Sequence, residues 1–127
     1  MERPDRDYWR SRADAPASGT VLGPLSAIAD GEAREFTFGG GKAPFRMFVV
    51  RRGTRAWGYV NVCPHFSLPL NYRPHEFMCS DGTLIMCTMH FALFRIEDGL
   101  CVEGSCVGHY LDPVPLTMNG EGILAVG

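Results

Sequence analysis

The sequence lacks the features of several protein classes. Nowhere among its 127 residues does an apolar run approach the roughly 20 residues that span a membrane. Residues 1–20 are charged and short of aliphatic side chains, with no apolar segment typical of a signal peptide. No long basic run is present and the formal net charge is -2, so nothing favours nucleic-acid binding. These absences predict a cytoplasmic protein.

Helical periodicity and internal repeats are also missing. Short β-branched and aromatic runs alternate instead with turns at Asp30-Gly31, Gly53, Asp81-Gly82, Asp98-Gly99 and Asn119-Gly120. The runs predicted as strands cover residues 21–28, 33–38, 45–52, 56–61, 83–87, 93–96, 114–118 and 123–126. We therefore expect one all-β domain over residues 20–127, because the chain is too short for two comfortable domains. Residues 1–19 form a polar tail, either docked through Tyr8 and Trp9 or disordered.

The sequence has only five cysteines, and because this number is odd they cannot all pair with one another. In a reducing compartment cysteine serves metals or catalysis more often than disulfides. Two short motifs each combine one cysteine with one histidine, Cys63-Pro64-His65 and Cys87-Thr88-Met89-His90. Each motif follows a predicted strand, so two neighbouring loops can bring four ligands to one centre.

The ligand types suit two kinds of metal centre. Two cysteines and two histidines satisfy tetrahedral Zn²⁺, although familiar zinc fingers pair Cys with Cys and His with His. A [2Fe–2S] centre can have two cysteines on one iron and two histidines on the other. Two loops that each supply one cysteine and one histidine suit such a centre. Both the zinc site and the iron–sulfur site remain open on these grounds.

The motifs resemble the two cluster loops of the Rieske family, and the resemblance extends over about residues 20–127. The residues that carry it are Cys63-Pro64-His65, Cys87, His90, Leu93-Phe94-Arg95 and Asp98-Gly99. The resemblance implies an antiparallel β-sandwich or flattened barrel with a small cluster-binding subdomain inserted at about residues 61–107. It also implies one [2Fe–2S] cluster per chain, held by Cys63, His65, Cys87 and His90.

Two positions depart from the family pattern. Phe91 follows the second histidine, where the family usually has glycine. Ser105 stands in the loop expected to cover the cluster, where proline is common. Both departures concern the shielding of the cluster. The apolar residues beside the ligands form a water-excluding shell, a docking tip for partners, or both; they are Phe66, Leu68, Pro69 and Phe91.

The remaining histidines and cysteines lie outside the ligand pairs. We expect His75 and His109 to be surface or hydrogen-bonded residues, and Cys79 to be a small buried hydrophobe. Cys101 and Cys106 flank a glycine turn. They can form a disulfide, bind a ligand or remain free thiols. We expect them to stay as thiols.

The class of Rieske protein follows from what the chain can accommodate. A terminal oxygenase needs a second domain with a mononuclear iron, for which 127 residues leave no room. A respiratory Rieske protein has a membrane anchor and an extra cysteine in each cluster loop, and the matching positions here are not cysteine. The resemblance thus implies a soluble ferredoxin, not itself an enzyme, that carries electrons from a flavin reductase to an oxygenase. The alternative is a small structural or regulatory subunit whose cluster, or zinc, mainly holds the fold.

The resemblance also bears on the reduction potential. High-potential members place Ser and Tyr after the second histidine, and these hydroxyls donate hydrogen bonds to cluster sulfur. The matching positions are Ala92 and Phe94, which have no hydroxyl. We therefore expect a potential in the low half of the Rieske range.

Overall fold

The computed structural model describes residues 5–64, 69–71, 73–79, 81–87, 91–104 and 106–127. Within these ranges it has ten β-strands, two short 3-10 helices at Tyr8–Ser11 and Leu25–Ala27, and no α-helix. The strands are β1 Val21–Pro24, β2 Ala33–Phe38, β3 Phe45–Arg52, β4 Arg55–Val60, β5 Ile85–Cys87, β6 Ala92–Phe94, β7 Cys101–Glu103, β8 Pro113–Val114, β9 Leu116–Met118 and β10 Ile123–Val126.

The described strands form three antiparallel sheets, in the orders β2-β3-β4-β8, β1-β10-β9 and β5-β6-β7. This confirms the predicted all-β, antiparallel class. The bounds of β2, β3 and β10 coincide with predicted runs, and the β3–β4 hairpin turns at Gly53 as expected. The run 21–28 divides into β1 and a 3-10 helix, and β7 was not predicted.

Strand β3 separates two hydrophobic cores. Phe48 and Val50 point into one core, while Met47 and Val49 point into the other, and all four are fully buried. Because both faces of β3 are covered, its sequence shows a continuous apolar run rather than alternation with polar residues. The core on the Phe48 side contains the four buried cysteines and therefore supports the candidate metal centre.

The sheet β5-β6-β7 is joined to the larger sheet by aromatic packing and one buried hydrogen bond. Phe77 accepts the Met86 N–H of β5 through its carbonyl oxygen at 2.7 Å, and its ring stacks on that of Phe48 in β3 with centroids 4.2 Å apart. The Tyr59 hydroxyl on β4 donates to the Ile96 carbonyl oxygen at 2.5 Å, just beyond β6. These contacts hold the sheet that carries the second cysteine–histidine pair against a rigid base.

The N-terminal segment packs on the body from residue 5 onward. Trp9 is fully buried in the second core and makes an edge contact with Phe45, with ring centroids 6.1 Å apart. Arg10 lies over the Trp9 ring and donates to the carbonyl oxygen of Gly127 at 2.8 Å. The segment around Trp9 is therefore docked on the body rather than disordered. None of the helices in the described ranges is long and apolar enough to cross a membrane.

Candidate metal centre

Cys63 lies just beyond the end of β4 and is 1% exposed. The loop that follows it is closed by Asn61, a buried residue that sequence reasoning did not single out. Asn61 Oδ1 accepts the Leu70 N–H at 2.8 Å, and Asn61 Nδ2 donates to Asn71 Oδ1 at 2.8 Å. One side chain thus joins the two ends of the first predicted ligand loop. The signal available in the sequence was a polar side chain two residues before Cys63.

Cys87 is the last residue of β5 and is fully buried. It lies directly opposite Ala92 in the antiparallel β5–β6 ladder. The turn between these strands is closed by the Phe91 N–H, which donates to the Cys87 carbonyl oxygen at 2.7 Å. Phe91 has φ +57°, in the left-handed region that favours glycine, which gives a physical reason for the glycine usual at this position.

The two predicted cysteine ligands, Cys63 and Cys87, belong to the same buried core. No disulfide joins Cys63 to another of the described cysteines. The predicted ligands His65 and His90 lie outside the described residues, as do Phe66, Leu68 and Ser105. Phe91, the last of the apolar residues beside the ligands, is 70% exposed and faces solvent rather than forming an inner shell.

Two further thiols belong to the same buried core as Cys63. Cys106 Sγ is 3.2 Å from Cys101 Sγ, and both residues are 1% exposed. Burial raises the pKa of the Cys106 thiol, and interactions with Cys101 and Cys63 raise this pKa further. Within the described ranges, no three residues among Cys, His, Asp and Glu are arranged to hold a metal ion.

The remaining predicted non-ligands are two histidines and one cysteine. His75 is exposed, and its Nδ1 accepts the Glu35 N–H at 3.0 Å. His109 is half-buried. The expectation that Cys79 is a buried hydrophobe was wrong, because it is half-buried and its thiol donates to Asp81 Oδ1 at 2.8 Å. This hydrogen bond, with those from Thr83, lowers the pKa of Asp81 to about 2.

The donor chemistry of the described residues fits an iron–sulfur cluster. Thiolates are the soft ligands that hold [2Fe–2S] clusters. Cys63 and Cys87 supply two such groups, one just beyond the end of β4 and one at the end of β5, in the same buried core. The backbone of Gly104 lies so close to Ala92 that an added Cβ would sit 2.8 Å from Ala92 Cα, which brings the 101–109 loop onto β6.

Comparisons with solved structures find similar folds at low identity. The ferredoxin of carbazole 1,9a-dioxygenase from Nocardioides aromaticivorans IC177 aligns with TM-score 0.67 and 20% identity, over 87% of this chain and 98% of that one. An oxygenase–ferredoxin complex of carbazole 1,9a-dioxygenase matches with TM-score 0.68 and 17% identity, over 86% of this chain and 28% of the matched chain. A complex of reduced oxygenase and oxidized ferredoxin matches with TM-score 0.62 and 16% identity, over 87% of this chain and 92% of that one.

The sequence itself matches a family model. A search of curated proteins found no significant match. The model of the Rieske [2Fe-2S] domain, however, matches residues 19–115, well over half of the chain and including both cysteine–histidine pairs. The protein therefore belongs to the Rieske [2Fe–2S] domain family and binds one [2Fe–2S] cluster per chain.

Proposed function

We propose that the protein is a Rieske-type ferredoxin, a one-electron carrier that accepts electrons from a flavin reductase and passes them to an oxygenase. The proposed cluster ligands are Cys63, His65, Cys87 and His90. When bound, the cluster accepts and releases one electron at a time. The observation that carries the proposal is the convergence of Cys63 and Cys87 in one buried core, at the ends of the two loops that supply the four ligands.

The chain's own residues prepare the site for this role. Asn61 holds the ends of the first loop through hydrogen bonds to Leu70 and Asn71. The second loop is held by the β5–β6 ladder and by the bond between Phe91 and Cys87. These constraints fix the described ends of both loops through contacts within the protein itself.

The nature of the partners is inferred from the comparisons. The ferredoxin of carbazole 1,9a-dioxygenase is matched over almost its whole length. Other similar structures contain a ferredoxin together with an oxygenase. This supports an oxygenase as acceptor and an assignment as a component of an oxygenase system rather than an enzyme. The flavin reductase is included in the proposal because a protein that delivers electrons to an oxygenase must first receive them from a donor.

Phe91 is a candidate contact for the acceptor. Its side chain is 70% exposed and it directly follows the proposed ligand His90. An exposed aromatic side chain beside a redox centre gives a partner an apolar contact close to the cluster. We therefore propose that the acceptor contacts Phe91 when it docks.

Reconstitution tests the proposed function. The cluster-loaded protein is mixed anaerobically with NADH and a flavin-dependent ferredoxin reductase, and the visible absorbance follows its reduction. We expect stoichiometric one-electron reduction, followed by reoxidation on addition of a Rieske-type terminal oxygenase. A cluster that retains its iron and sulfide but cannot be reversibly reduced would contradict the carrier role and indicate that the cluster mainly holds the fold.

A further inference from the structure

A cleft of about 510 Å³ lies beside the first proposed ligand loop. Its apolar lining includes Phe45 and Val60, which are buried, and Val62, which directly precedes Cys63. Three cationic side chains also line this cleft; they are Arg12, Lys42 and Arg46. We call it the basic cleft. It combines an apolar surface with positive charge next to the candidate metal centre, and it has no part in the function proposed above.

Two cations of the basic cleft are more exposed than the carboxylates with which they pair. Arg12 Nε donates to Asp112 Oδ2 at 3.0 Å, and the Arg12 side chain is 34% exposed while that of Asp112 is 10% exposed. Arg46 Nη2 lies 4.0 Å from Glu35 Oε2, and these side chains are 41% and 15% exposed. A molecule that approaches from solvent therefore has more access to the guanidinium groups than to either carboxylate.

The cations also keep unused hydrogen-bond donors. In the part of the chain that the structure describes, Lys42 is exposed and forms no ion pair. Among the same residues, only Nε of the Arg12 guanidinium has a hydrogen-bond partner, and the group lies 5.6 Å from the Tyr8 ring centroid. Asp14, two residues after Arg12, packs against Gly39, where an added Cβ would be 2.5 Å from Asp14 Cγ. A guanidinium group with free terminal nitrogens suits a carboxylate, which it can bind through two hydrogen bonds.

We propose that the basic cleft is a docking site for the electron acceptor and binds an acidic segment of the acceptor's surface. The inference rests on the proposed function, in which the acceptor is an oxygenase. The positive charge at the cleft is a local feature, because the chain as a whole has a formal net charge of -2. Opposite charges across an interface steer the encounter of two proteins and fix their relative orientation.

Docking in the basic cleft brings the acceptor to the first ligand loop. Val62 and Pro69 both line the cleft, and in the sequence they flank residues 63–68, which include the proposed ligands Cys63 and His65. The apolar lining lets the acidic segment bury an apolar side chain between its charged contacts. Because electron transfer slows steeply with distance, a site next to a ligand loop suits a redox partner.

Two charge-reversal variants and two peptides test this assignment. Lys42→Glu changes the basic cleft, and Arg55→Glu is the matched control with the same change of net charge. Arg55 begins β4, whereas Val60 of the cleft ends it, and the Arg55 guanidinium lies 4.7 Å from the Trp57 ring centroid. The probe is a synthetic glutamate-rich peptide with one phenylalanine, and in the control peptide glutamine replaces glutamate. Iron, labile sulfide and midpoint potential are first measured for each cluster-loaded protein.

Isothermal titration calorimetry measures peptide affinity, and stopped flow follows reoxidation of the reduced protein by a Rieske-type terminal oxygenase. At low ionic strength we expect the glutamate peptide to bind the wild type and Arg55→Glu alike, and Lys42→Glu several-fold more weakly. The difference should shrink at high salt, which screens exposed charges. Saturating glutamate peptide should slow reoxidation of the wild type several-fold. Cluster content and midpoint potential should be the same in all three proteins.

Equal weakening of peptide binding in both variants would overturn the proposal, because it would reflect net charge alone. Equal binding of the two peptides would also overturn it, as would reoxidation that saturating peptide does not slow. If Lys42→Glu loses the cluster, Lys42→Gln, which removes the charge without reversing it, is judged by the same criteria. A wild-type protein that cannot be reversibly reduced would instead refute the proposed function, whereas peptide binding reports on the cleft alone.

Discussion

Phe91 donates its backbone N–H to the carbonyl oxygen of Cys87 at 2.7 Å while its own φ is +57°. A left-handed conformation costs a residue with a Cβ roughly 1–2 kcal/mol. The Phe91 side chain recovers little of this cost by burial, because it is 70% exposed. An aromatic residue that is unfavourable for folding at this position points to a role for its side chain on the surface.

Variants of Phe91 distinguish its effect on the free energy of unfolding from its proposed role in docking. We expect Phe91→Gly to raise the free energy of unfolding by up to about 1 kcal/mol, since glycine adopts positive φ without strain. Phe91→Ala, which keeps the strained conformation, should not gain this stability. Both variants should slow reoxidation by an oxygenase several-fold in stopped-flow experiments. Unchanged transfer rates in both would show that the acceptor does not contact Phe91.

Local patterns predicted most of the strands but not how they pair. The run that became β3 was recognisable because β-branched and aromatic residues lie between two turns. The short strand β7 has no such run. The pairing of β1 with β10 depends on contacts between the two ends of the chain, which no local pattern encodes.

The parts of the candidate site that could be predicted are those marked by residue type and spacing in the sequence. The pairs that contain Cys63 and Cys87 were recognised from the sequence, and the structure brings these two thiols into one core. The contribution of Asn61 was missed, because a polar residue at the end of a strand usually faces solvent. The contact between Cys101 and Cys106 requires the fold of the 101–109 loop, so their spacing alone left several outcomes open.

Asn61 should control how firmly the first ligand loop is held. Asn61→Ala removes a buried hydrogen bond to Leu70 and a partly buried one to Asn71, and should lower the free energy of unfolding by about 1–3 kcal/mol. We also expect faster loss of the cluster to an iron chelator, followed by visible absorbance. Asn119→Ala is a matched control, because Asn119 accepts two backbone N–H groups in an exposed turn. If both variants lose the cluster at the wild-type rate, the proposed role of Asn61 is wrong.

Cys101 and Cys106 should be thiols in the native protein and dispensable for cluster binding. The double variant with serine at both positions should retain full iron and sulfide, because neither residue belongs to the proposed ligand set. Alkylation under non-reducing conditions followed by mass spectrometry reports the state of the two thiols. A quantitative disulfide between them in freshly lysed cells would contradict this prediction.

The reduction potential should lie in the low half of the Rieske range, which spans roughly −150 to +300 mV. Ala92 lies directly opposite Cys87, so Ala92→Ser places a hydroxyl donor beside a proposed ligand and should raise the potential. Phe94→Tyr adds a hydroxyl two residues further along β6 and should raise it too. Protein-film voltammetry at neutral pH measures both. A wild-type value near the top of the range would contradict the ferredoxin assignment.

The proposed ligands should behave differently from the other histidines. Replacing Cys63, His65, Cys87 or His90 with alanine should abolish the cluster, because each removes one bond to iron. His75→Ala and His109→Ala should keep it. His75 instead accepts a hydrogen bond from the Glu35 backbone. His75→Ala should therefore lower the free energy of unfolding by about 1 kcal/mol and leave the iron content unchanged. Iron retained at the wild-type level in any of the four ligand variants would remove that residue from the set.

Metal analysis and EPR of the anaerobically purified, dithionite-reduced wild-type protein test the ligand assignment most directly. We predict iron and labile sulfide in the proportion of one [2Fe–2S] cluster per chain, and the EPR signal of a singly reduced cluster. Hyperfine coupling to imidazole nitrogen should be present, because two histidines bind one of the irons. Stoichiometric zinc without iron, or a reduced cluster with no nitrogen coupling, would contradict the assignment of Cys63, His65, Cys87 and His90.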